Sequence, residues 1–171
     1  MSHGVHAGGA GDPVPALLGE SRRLSGSGTR VVVAGEGAAP SAYEALSGPE
    51  AHVITGRWDG KAAFSSAGWS ATFSDYDLRG FEPGCAGSVF FRVTKEKAVV
   101  HHVVNEAARI LRPGGTLHLA GMRREGIKTY IAKAAALFGC PARVRTTPIG
   151  ARFGVLVSPG PDRVGDPLDD R

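Results

Sequence analysis

The passage "RILRPGGTLHLAG", residues 109–121, constrains the chain more than any other. An apolar-periodic run ends at Leu111. Arg112-Pro113-Gly114-Gly115 must turn the backbone, because proline removes a donor and the glycines accept conformations other residues avoid. Thr116 to Ala120 then reads as a strand. A helix, a tight turn and a strand within thirteen residues mark a chain that returns from a sheet-covering helix into the sheet.

The flanking sequence extends the alternation. Upstream, "KEKAVVHHVVNEAARILR" places Val99, Val100, Val103, Val104, Ala107, Ala108 and Leu111 at helical spacing. Before it, "RVVVAG", "AHVITG", "WSATFSD" and "AGSVFFRV" read as strands. "APSAYEAL" opens as a helix with Ser41 as candidate cap. "DGKAAFSSAG" reads as a short helix, with Asp59 as candidate N-cap and Gly68 as its stop. Downstream, "EGIKTYIAKAAALFG" is amphipathic and closes on Gly139. "ARVRTTP" and "RFGVLVS" follow with no helix between them, so this last pair must run antiparallel. The expected fold is α/β: a doubly wound, mainly parallel sheet with a terminal antiparallel strand pair.

Residues 1–28 are rich in Gly, Ser, Ala and Pro and read as a flexible N-terminal segment, with at most a helical piece at 16–24. Residues 29–158 form the domain. Residues 159–171, "PGPDRVGDPLDDR" from Pro159, read as a tail or linker. With 171 residues, one core-bearing domain is the expectation. No apolar run reaches the ~20 residues of a membrane helix, and the N-terminus lacks a secretory pattern. Cys85 and Cys140 stand far apart, which fits a reducing, cytoplasmic setting. The formal charge of +4 permits a nucleic-acid partner without requiring one.

Residues 89–139 resemble the N-terminal domain of two-domain ribosomal RNA guanine-N2 methyltransferases of the class I S-adenosylmethionine-dependent kind. The resemblance rests on "LRPGGTLHLAG", on Val93-Thr94-Lys95-Glu96-Lys97 where those proteins carry a Pro-Lys-x-Lys-like segment, and on Gly121-Met122-Arg123-Arg124-Glu125-Gly126-Ile127-Lys128 where they carry Gly-Glu-x-x-x-Gly-Ile-Lys. "ITGRWDGKAAFSSAG" matches loosely. Thr94 stands in place of the usual Pro, and Met122 in place of the usual Glu. The resemblance implies a methyltransferase-like fold and a degenerate domain. Cofactor binding and chemistry would then belong to a second, catalytic domain, in the same or a separate chain. "GDPLDDR" resembles an interdomain connection.

The residues agree with that implication. Gly35-Glu36-Gly37 follows the first strand where a cofactor turn belongs, but Ala38-Ala39-Pro40 replaces the rest of a phosphate-binding fingerprint. These three are the candidate cofactor residues; a simple helix-entry turn is the alternative. The second strand ends Thr55-Gly56, where an acid would hold a ribose, and Asp59 comes late. Amino-group methyltransferases acting on bases place Asn-Pro-Pro-aromatic after the fourth strand. Here Phe91-Arg92-Val93-Thr94-Lys95 offers cations, which donate hydrogen bonds and cannot accept the protons of an amine. No catalytic residue and no convincing cofactor are expected. S-adenosylmethionine enters only under the alternative of an active small methyltransferase. A nicotinamide-binding Rossmann protein is a third reading, disfavoured by the incomplete fingerprint.

Arg92, Lys95 and Lys97 after the fourth strand, with Arg123, Arg124 and Lys128 after the fifth, fall at one edge of the expected sheet. They are candidates for rRNA or partner binding; a solvated rim paired with Glu96 and Glu125 is the alternative. His101-His102 lacks the helical spacing of a metal pair, so no metal is expected. Ser65, Ser66 and Ser70 have no evident base. Cys140 follows a helix C-terminus, an end that does not activate a thiol. Trp58, Trp69 and Phe73 read as core residues, with Trp58 able to stack on a base if exposed.

Overall fold

A computed structural model describes residues 11–35 and 37–169. Seven strands form one sheet in the order β3-β2-β1-β4-β5-β7-β6. The strands are β1 (Arg30–Ala34), β2 (Ala51–Thr55), β3 (Ser70–Phe73), β4 (Ala86–Arg92), β5 (Leu111–Met122), β6 (Arg143–Thr146) and β7 (Ala151–Val157). Strands β1 to β5 pair in parallel, and β7 pairs antiparallel with both β5 and β6. This is the expected doubly wound sheet with its antiparallel strand pair at one edge.

Side chains alternate across the sheet, and each face has its own cluster. Val31, Val33, Val89, Phe91, Leu117 and Leu119 face helices α3 (Lys97–Ile110) and α4 (Ile127–Phe138). Val32, Ala34, Val53, Phe90, Ala120 and Phe153 face helices α1 (Val14–Ser21) and α2 (Trp58–Ser66) and a 3-10 segment, Pro40–Leu46. In α3 the buried Val100, Val103, Val104, Ala107 and Ala108 follow the helical spacing seen in the sequence.

The Pro-Gly-Gly turn lies inside β5 rather than before it. Leu111 pairs with Ala86 and Thr116 with Ser88, so residues 112–115 bulge out of the ladder. Gly114 takes a left-handed φ of 84°, and Gly114 N–H donates to Ser158 O at 2.9 Å.

Several sequence expectations need correction. Within 1–28, residues 14–21 form α1, whose Val14, Leu17 and Leu18 are buried in the core. Apolar spacing against the sheet outweighs the Gly-rich composition around it; residues 1–10 lie outside the described residues. Within 159–171, Val164 and Leu168 pack against the α3–α4 cluster. Asn105 brackets Leu168 with hydrogen bonds of 2.8 and 3.0 Å to its backbone. Ser41 is no cap: the segment begins at Pro40 after Ala39. Asp59 is no cap either, because α2 begins at Trp58 after Arg57. Trp69 is core, but Trp58 and Phe73 are 66% and 47% exposed. They meet edge to face at 5.6 Å, with the Lys61 ammonium 5.0 Å from the Trp58 ring.

Candidate functional site: the sheet's C-terminal edge

In an open α/β sheet, ligands bind beyond the strand C-termini where the strand order reverses. Here β1 leads to β2 and β3 on one side and the chain returns to β4 on the other, so the crevice lies between Gly35 and the end of β4. Arg92, the last residue of β4, occupies it. Its Nε is 2.8 Å from Asp12 Oδ2, and its Nη1 is 2.8 Å from both oxygens of Glu125. The Arg92 and Glu125 side chains are 16% and 12% exposed, so water competes little with the pair. Burial by itself lowers the Arg92 pKa, but the hydrogen bonds it donates to Asp12 and Glu125 outweigh that and raise the value. Glu125 also accepts the Met122 N–H at 2.7 Å, so the carboxylate ties the loop after β5 to the end of β4.

Tyr43 closes the crevice from the other face of the sheet. It is 1% exposed. Burial pushes its hydroxyl up to about 12, partly offset by a backbone hydrogen bond from Gly35. A cavity of about 340 Å³ remains between Gly35, Tyr43, Arg92, Lys95 and Glu125.

The candidate cofactor turn behaves as a turn. Ala38 N–H donates to Gly35 O at 3.2 Å. Gly37 takes a φ of 71°, and a Cβ there would meet nothing within 4 Å. That φ is a backbone angle that favours glycine. Glu36 lies outside the described residues. Beside the turn, a cavity of about 270 Å³ is lined by Gly37, Pro40, Thr55, Arg57, Asp59 and Gly60. The Asp59 carboxylate is paired with Arg57 at 3.0 Å and accepts the Gly60 N–H at 3.0 Å. These bonds hold its pKa below the usual range, the Arg57 hydrogen bond most of all.

S-adenosylmethionine carries a sulfonium cation and two ribose hydroxyls. The residues present do not fit it. Thr55-Gly56 at the end of β2 supplies no acid for the ribose, and Asp59 already serves Arg57. At the reversal point the chain presents a guanidinium whose two carboxylate partners are internal.

The six predicted cations do not line a single cavity. Arg92 is ion-paired in the crevice with Asp12 and with Glu125, the latter a pairing that the alternative reading named. Lys95 lines the crevice cavity, and Lys97 stands exposed at the start of α3. Arg123 and Lys128 line a separate cavity of about 390 Å³ with Arg152, Thr146 and Thr147. Arg124 lines the neighbouring groove with Arg123, Pro148, Ile149 and Gly150. Arg152 escaped the sequence reading because its strand neighbours are apolar; only the β5–β7 pairing brings it beside Gly121.

Elsewhere, the two histidines separate. His102 Nε2 bonds Tyr76 O at 2.8 Å, and His101 Nε2 lies 3.0 Å from Lys133 Nζ. No group of three His, Cys, Asp or Glu side chains suited to a metal occurs among the described residues. Ser70 does have a basic neighbour: its hydroxyl is 2.8 Å from His52 Nδ1, whose Nε2 meets Thr72 at 2.7 Å. Among the described residues no acid is bonded to this imidazole, and burial lowers its pKa. Both cysteines are free thiols.

No protein-family model matches the sequence, and no curated protein matches it. Solved structures do match in fold. The Thermus thermophilus 16S rRNA N2-guanine methyltransferase (RsmC), solved with AdoMet and guanosine, superposes with a TM-score of 0.75 over 94% of this chain at 22% identity. The fold is that of the class I methyltransferases. The matched region is 42% of that protein, so this chain spans under half of its length. TrmN from Thermus thermophilus matches with a TM-score of 0.57 at 20% identity, covering 84% of this chain and 48% of the other. A geranyl diphosphate methyltransferase, solved with GPP and sinefungin, matches with a TM-score of 0.59 at 14% identity, covering 84% and 77%.

Proposed function

We propose that this is a noncatalytic methyltransferase-fold domain of an rRNA guanine-N2 methyltransferase system. It supports a catalytic methyltransferase domain, in the same or a separate chain, and holds RNA by its basic edge. The observation that carries the reading is the Arg92–Asp12–Glu125 cluster, which places internal ion pairs at the sheet's reversal point. An RNA-methylating partner is favoured by the resemblance of residues 89–139 and by the fold match to the RsmC structure. No helix among the described residues is long and apolar enough to cross a membrane, and a cytoplasmic setting accords with the two free thiols.

The test is calorimetric titration of the purified chain with S-adenosylmethionine and S-adenosylhomocysteine. The reading expects no heat at millimolar ligand. Micromolar binding, abolished by Gly35→Asp, would overturn it in favour of an active small methyltransferase.

A further inference from the structure

The cavity of about 390 Å³ lies where β5, β6 and β7 meet the start of α4. Three cations reach its lining from three separate elements. Arg123 comes from the turn after β5, Lys128 from the first turn of α4, and Arg152 from β7. None of the three side chains has a hydrogen bond or ion pair within the described residues. This sets them apart from Arg57, Arg79, Arg92, Arg109 and Arg145, each of which has a carboxylate partner. Three like charges around one concavity repel one another, and nothing internal offsets that cost.

The wall adds the Thr146 hydroxyl, whereas the Thr147 hydroxyl is engaged, donating to Ala151 O at 3.1 Å. Helix α4 starts after Gly126, at a φ of 85°, with no side chain capping its first turn. Its leading N–H groups therefore lack side-chain acceptors. No carboxylate lines this cavity.

We propose that this cavity is an oxyanion site that takes a phosphate group, with Arg123, Lys128 and Arg152 as its charged ligands. Guanidinium forks match phosphate oxygens in pairs, and an ammonium adds a point charge. The phosphate is that of an RNA backbone. That choice of source rests on the function proposed above; the chemistry of the cavity does not. RNA contacts of this kind position a strand without reading its sequence. The site lies on the antiparallel side of the sheet, beyond β5, so it does not compete with the ion pairs in the crevice.

The test uses the full chain and two probes: inorganic phosphate, followed by amide NMR, and a short fluorescein-labelled oligouridylate, followed by anisotropy across a salt series. Phosphate is expected to shift the amides of Gly126 to Thr129 and Thr146 to Arg152. Arg152→Gln and Lys128→Gln should each weaken oligouridylate binding about tenfold and flatten the salt slope by about 0.7. Arg163→Gln, in the segment Pro161–Arg163 beside the Pro113 end of β5, should leave both unchanged. Lys128 is exposed on α4, so its variant reports binding even if the β7 variant folds poorly.

Phosphate shifts that disappear in Lys128→Gln, without oligouridylate binding, would uphold the oxyanion site and remove RNA as its source. Oligouridylate binding untouched by either variant, with no phosphate shifts, would overturn the site while leaving an RNA-binding edge elsewhere.

Discussion

His118 Nδ1 lies 2.8 Å from the Ser21 hydroxyl, and this bond fastens α1 to the middle of the sheet. Ser21 Oγ also donates to Leu18 O at 2.7 Å, so toward the imidazole it accepts, which places the ring proton on Nδ1. Thr116 then donates to Nε2 at 2.8 Å, and Phe90 stacks on the ring with centroids 3.9 Å apart. Every polar atom of this buried ring is satisfied in its neutral form, and none could accept an added proton without breaking a bond.

Burial lowers the His118 pKa to about 3. In the unfolded chain it is about 6.5. Below that value the unfolded state binds a proton that the folded state refuses, so stability falls with pH. His118 contributes its full share above about pH 6.5 and loses it as pH drops toward about 3. Denaturant titrations near neutrality and at about pH 4.5 should differ by about 2 kcal/mol more in the native chain than in His118→Phe. Equal differences in the two proteins would show that the ring is not held neutral.

The crevice cluster makes a prediction about sign. Arg92→Met leaves Glu125, 12% exposed, without its cation where little water reaches it, whereas Asp12, 42% exposed, keeps its hydration. The substitution should destabilise the fold by about 1–3 kcal/mol. Adding Glu125→Gln to that variant should recover part of the loss, because the uncompensated charge is removed. Chemical denaturation of the two singles and the double measures the coupling. Additive losses would mean that the pair contributes nothing beyond its separate side chains.

Gly154 tests the packing of the antiparallel edge. A Cβ at this position of β7 would lie 2.8 Å from Ile131 on α4. Gly154→Ala should cost about 1–3 kcal/mol through overpacking, readable as a lowered Tm. Ile131→Ala in the same chain should relieve the clash, so the double variant should be more stable than the sum of the two single losses predicts.

The strands and helices were legible because each element carries its own period. α3 declares itself by valine and alanine spacing, and β1 by a run of three valines. The hairpin of β6 and β7 is visible because too little chain separates them for a crossover. The site was less legible because its pairings are long-range. Asp12 meets Arg92 across 80 positions, and Glu125 meets it across 33. Local charge pattern cannot distinguish a cation facing solvent from one held by two distant carboxylates. His52 and Ser70 were hidden for the same reason: they become neighbours only through the β2–β3 register, in which His52 stands opposite Ser70. Composition misled most at the N-terminus, where Gly and Ser surround a short apolar segment that is part of the core.

That segment supplies the sharpest test of where the folded unit begins. Removing residues 1–24 deletes Val14, Leu17 and Leu18, which are at most 5% exposed. It also removes Ser21 from His118, and Asp12 from Arg92. Three buried aliphatic side chains contribute about 5–8 kcal/mol together. The whole stability of a domain is about 5–15 kcal/mol. The truncated chain should therefore lose its cooperative thermal transition and bind a hydrophobic dye. A truncated chain with an unchanged Tm would mean that α1 is an ornament on a sheet that folds without it, and that the first 28 residues are the loose segment their composition implies.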